Sequence, residues 1–142
     1  MAVAGVQEPN RDEWVARFNE RRDTFIRPEL EALGKQLRAR GHDFYIVETP
    51  FRTENRAIPA EATIRLDIYL ASERTRTAIG TDRRPFLGFS TNHRTQKVAV
   101  TVSDITAKGG SETKIGEFPL EMLDSALIRQ NFMSLLRRVL GK

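Results

Sequence analysis

Between Gln96 and Ile105 the side chains alternate, with Val98, Val100 and Val102 on one phase and Ala99, Thr101 and Ser103 on the other. A period of two is that of a strand with one buried face. The small and hydroxyl side chains of the second phase suit a central antiparallel strand covered by helices on one side only. Residues 62–70 repeat the pattern, Ile64, Leu66, Ile68 and Leu70 pointing one way and Thr63, Arg65, Asp67 and Tyr69 the other. Residues 42–48 are apolar nearly throughout and read as a buried strand, bounded by Pro50. Residues 85–91 form a further strand that joins 96–105 through the four-residue turn 92–95, and 113–118 follows the glycine turn 108–112 as the last strand. The stretch 75–79 is a candidate sixth strand at the sheet edge. The polar connection 49–61 has the length of a flap.

Helical periodicity brackets these strands. Asn10 and Glu13 have the spacing of a capping box, which starts the first helix at Asn10 and leaves residues 1–9 as a frayed leader. On a wheel of 100° per residue, Trp14, Phe18 and Phe25 fall at roughly 0°, 40° and 20°, whereas Leu30, Leu33 and Leu37 fall at roughly 160°, 100° and 140°. The stripe drifts across Pro28, so a kink or break is expected near Arg27. Gly41 supplies a left-handed C-cap. Asp124 caps a closing helix, 125–140, with Leu127, Ile128, Phe132, Leu135, Leu136 and Val139 on its apolar side. The expectation is a single α+β domain over residues 1–142. It has a five- or six-stranded, mostly antiparallel sheet, with a kinked N-terminal helix and a C-terminal helix packed on one face.

Composition narrows the class. The 142 residues suffice for one core, and 39% hydrophobic with 30% charged residues excludes a disordered chain. No apolar run approaches the ~20 residues of a bilayer span, so no membrane partner is expected. With no cysteine, disulfides, thiolate ligands and a cysteine nucleophile are excluded, in keeping with a cytoplasmic location.

Candidate chemistry is sparse. His42 and His93 are the two histidines and have no ligand partner at metal spacing, so neither metal nor cofactor is expected. The sequence around Ser90 is not a nucleophile elbow, and the glycines after Lys108 lack phosphate-loop spacing. No acid, Glu61 and Asp67 included, has a nucleophile or metal to work with, so the chain reads as a non-enzyme. The local signal is basic. Between residues 72 and 97, Arg74, Arg76, Arg83, Arg84, Arg94 and Lys97 face Glu73 and Asp82, and six cations less two anions equals the +4 of the whole chain. Such a stretch suits either a phosphate-facing patch or solvated loops and a charge-protected edge strand. Arg65 and Tyr69 share the outer sheet face, where an aromatic with cations stacks bases or joins a dimer interface. The leading expectation is a small binding or adaptor domain that works through protein contacts as a homo-oligomer. The alternative is a nucleic-acid binder that uses residues 74–97.

Overall fold

The computed structural model describes residues 2–73 and 84–140, and the side chains of residues 11–72 and 84–140. Helix α1 (Ala2–Arg21) passes through a π-helical turn (Arg22–Ile26) into α2 (Arg27–Ala39). Five strands follow: β1 (Asp43–Thr49), β2 (Thr63–Tyr69), β3 (Phe86–Asn92), β4 (Lys97–Ser103) and β5 (Glu112–Phe118). Helix α3 (Ser125–Leu140) closes the described chain. The strands lie in the order β1-β2-β3-β4-β5, each antiparallel to its neighbours. The α+β class and the meander are as expected, with five strands among the described residues; the candidate strand 75–79 lies outside them.

The break before Pro28 has a specific form. Arg27 donates its N–H to the carbonyl of Arg22, five residues back. A π turn inserts one residue into the helix and so removes about 100° of phase. Taking 100° from Leu30, Leu33 and Leu37 returns them to roughly 60°, 0° and 40°, in line with Trp14 and Phe18. All five are buried in one core. The turn is therefore what lets a drifting sequence stripe lie on one sheet. Ile26, rather than Phe25, becomes the fully buried residue within it.

The other helix ends follow local chemistry, with one exception. Gly41 has φ +92°, and the N–H groups of Gly41 and His42 reach the carbonyls of Arg38 and Leu37 in a Schellman motif. Asp124 accepts the N–H of Leu127 at 2.9 Å as the cap of α3. Asn10 does not cap, because α1 runs back through it to Ala2. Alanines at 2 and 4 favour helix, and Pro9 removes only the donor that would meet the Gly5 carbonyl.

Ile64, Leu66 and Ile68 of β2, Leu87 and Phe89 of β3, and Val98, Val100 and Val102 of β4 form one buried layer beneath the helices. Helix α2 covers β1 and β2, α3 covers β3 and β4, and the two helices touch. Both helices thus pack on one face, as the matching apolar periods require. Burying each such large side chain contributes roughly 1.5–3 kcal/mol. Among the described residues, the opposite face carries no helix.

Strand β1 differs from its expected place. It is an edge strand, with Tyr45 58% and Val47 37% exposed on the helix-free face, and only Phe44 buried. An apolar run looks alike whether both of its faces are buried or one lies open, and only sheet position separates the two. The helices hold it from both phases: Arg27 clasps Glu48 on the inner side, and Arg38 reaches Asp43, on the outer phase, at 2.8 Å. The bond to Glu48 raises the pKa of Arg27 further.

Candidate functional site: the outer sheet face

Alternation and register assemble a surface on the face away from the helices. Tyr45 stands opposite Asp67, and Val47 opposite Arg65. Across β2, Asp67 pairs with Phe86 and Arg65 with Gly88. Because Gly88 has no Cβ, Arg65 and the Phe86 ring close over it; a Cβ there would sit 3.3 Å from each. The guanidinium of Arg65 lies 5.0 Å from the Phe86 centroid and grips both oxygens of Asp67, at 2.7 and 3.2 Å. Asp67 is 4% exposed, so the fork supplies the charge that its burial demands. Arg84 lies 4.0 Å over the ring of Tyr69, which Tyr45 meets edge-on at 5.1 Å. The result is a ridge of Tyr45, Tyr69 and Phe86 beside Val47, with the guanidinium groups of Arg65 and Arg84 over the rings of Phe86 and Tyr69. Next to it, Gly88, Ser90, Ala99 and Thr101 form a low trough.

The described cations of the basic stretch do not form one patch. Arg84 precedes β3, whereas Arg94 sits in the hairpin turn beyond its far end and Lys97 begins β4 opposite Asn92. Eight residues of strand, at about 3.3 Å each, separate Arg84 from that end by roughly 26 Å. Arg74, Arg76 and Arg83 lie outside the described residues. Of the expected site residues, the fold brings together Arg65, Tyr69 and Arg84, and adds Tyr45, Val47 and Phe86, which the sequence reading assigned to a buried strand and to the hairpin. Ser103, expected on the open surface, is fully buried and donates its hydroxyl to the Arg84 carbonyl at 3.1 Å. Over the described outer face, the cations Arg65, Arg84, Lys97 and Lys114 are matched four to four by Asp43, Asp67, Glu112 and Glu117.

A second cluster had no sequence signal, since its members are about thirty residues apart. The Glu61 carboxylate accepts the Thr91 hydroxyl at 2.8 Å, the His93 N–H at 3.2 Å and His93 Nδ1 at 2.6 Å. Thr91 Oγ1 in turn accepts the Ala62 N–H at 2.8 Å, and Phe51 meets the His93 ring edge-on. Every partner of Glu61 belongs to the β3–β4 hairpin, so the cluster ties the 50–62 connection to that hairpin. A third feature is a concavity of roughly 430 Å³ lined by Arg17, Glu20, Arg21, Thr24, Leu120 and Glu121. Arg17 spans it to Glu121 at 3.0 Å, so two cations and two carboxylates already balance there. Among the described residues no group of three acids or histidines is placed to hold a metal, and no helix is long and apolar enough to cross a membrane.

Compared with family models, curated proteins and solved structures, the chain has no match.

Proposed function

We propose that this chain is a non-enzymatic protein-contact module whose docking surface is the outer sheet face. The observation that carries this reading is the ridge of Tyr45, Tyr69 and Phe86, with exposed Val47, on a sheet face that no helix among the described residues covers. Tyrosine and arginine in this arrangement provide contact area at low entropic cost, as in the centres of protein interfaces. The four-to-four charge balance favours a protein over a phosphate backbone, which calls for an excess of cations. The polar clusters elsewhere fit this reading because they bind one another and hold the frame in place.

The test is affinity capture from nuclease-treated cell extract with the immobilised chain. Tyr45→Lys is expected to lose proteins that the wild type and the helix-face variant Lys35→Glu retain. Retention that is the same for all three would overturn the proposal. Material retained only from untreated extract would point to nucleic acid instead.

A further inference from the structure

We infer that the occupant of this face is a second copy of the chain, stacked face to face about a two-fold axis that runs along the strands. The inference rests on the docking surface proposed above and names its partner. Two identical faces repel when each carries an excess of one charge, and this face carries four of each sign. The orientation follows from which residues a two-fold places in opposition. Consider the row Val47–Arg65–Gly88–Thr101–Lys114, which crosses all five strands. An axis lying across the strands at this row sets Arg65 against Arg65 and Lys114 against Lys114 of the second copy. An axis along β3 sets Arg65 over Thr101, Val47 over the aliphatic stem of Lys114, and Gly88 over Gly88. In the neighbouring row, Tyr45–Asp67–Phe86–Ser103–Glu112, the same axis brings the Tyr45 hydroxyl to the Glu112 carboxylate and Phe86 to Phe86. The second arrangement seats the aromatic ridge of one copy toward the low side of the other and opposes like charges only where Arg84, just before β3, meets its own copy, whereas the first opposes both Arg65 and Lys114 to themselves.

The area is sufficient for a modest dimer. Five strands of seven residues, spaced about 4.8 Å apart and rising about 3.3 Å per residue, present roughly 550 Å². Two such faces bury on the order of 1,100 Å², at the lower edge of specific interfaces, which suits micromolar association. Face-to-face sheets also keep their strands within about 30° of each other, as a strand-parallel axis requires.

Sedimentation from about 5 to about 500 µM is expected to show the 16.2 kDa chain shifting toward twice its mass. Ala99→Arg, which fills the trough, and Tyr45→Lys, which removes the ridge, should each weaken the dimer at least tenfold; Ile115→Lys on the β5 edge should leave it unchanged. The chain has no cysteine, so Ser90→Cys supplies a single thiol beside the axis. Its two copies should cross-link through a short bis-maleimide, and those of Glu48→Cys should not. A wild type that stays monomeric overturns the second-copy inference, as does a dimer lost only in Ile115→Lys. Capture that still depends on Tyr45 in a monomeric wild type would leave the docking surface standing with a different partner; loss of both would overturn both.

Discussion

Gly34 illustrates how one side chain can reverse a general rule. Alanine is ordinarily about 1 kcal/mol better than glycine inside a helix. Here a Cβ would fall 2.3 Å from the ring of Phe44, which is buried and capped by the Arg38 guanidinium at 4.5 Å. Overpacking of that kind costs roughly 1–3 kcal/mol. Gly34→Ala is therefore expected to destabilise the chain, by up to about 2 kcal/mol in denaturant melts once the helix-propensity gain is subtracted. With Phe44→Leu in the same chain, the loss should be smaller than the sum of the two single changes by more than about 0.5 kcal/mol. Stabilisation by Gly34→Ala alone would mean that α2 does not approach β1 so closely. Asp67 makes the complementary point: a carboxylate on the nominally open face is buried because the Arg65 fork and the Phe86 ring close over it.

Among the elements, β5 is the most exposed strand and is held at one end by Glu117. Lys114 Nζ at 2.7 Å, Asn92 Nδ2 at 3.1 Å and Thr95 Oγ1 at 3.2 Å all donate to it. The ammonium first, and then the amide, hold this carboxyl below its ordinary value of 4.5. A carboxyl whose pKa is lowered on folding contributes stability above the ordinary value and loses it as the pH falls below. Glu117→Gln should thus melt slightly earlier at neutral pH and show a shallower acid decline below about pH 4.5. Parallel curves of melting temperature against pH for the two proteins would show that this carboxylate is not coupled to folding. The bulge at Ile115, where Thr101 pairs with Lys114 and Val100 with Gly116, adds to the irregularity of this edge and opposes strand addition there.

At the scale of the whole molecule, the distribution of cations decides how the chain meets a polyanion. A contact of four phosphates on a single strand gives a slope of log affinity against log salt near −3, at roughly 0.7 per phosphate. With Arg84 at one end of the sheet, Arg94 and Lys97 at the other, and acids matching them across the face, one or two phosphates at a time is the expected engagement. Titration of a fluorescent oligonucleotide should then give a slope no steeper than about −1.4. A slope near −3 that flattens by about 1.4 in the Arg83→Ala, Arg84→Ala double variant would restore a phosphate-binding role to the 74–97 stretch.

What the amino-acid sequence determined by itself was local. The alternation at Val98, Val100 and Val102 and at Ile64, Leu66 and Ile68, the Gly41 and Asp124 helix ends, and the short connections of the meander all depend on groups a few residues apart. Only the tertiary structure decided the rest. Pro28 foretold a break, but the need to lay Trp14, Phe18, Leu30, Leu33 and Leu37 on one sheet shaped it as a π turn that restores their phase. The apolar run of β1 gave no sign that it would stand at an edge and expose Tyr45 and Val47. Six nearby cations in sequence suggested one basic patch, yet an extended strand carries Arg84 away from Arg94 and Lys97. The ridge of Tyr45, Tyr69 and Phe86, like the Glu61–His93 tie, exists only because antiparallel register sets residues from separate strands side by side, and register belongs to the sheet as a whole.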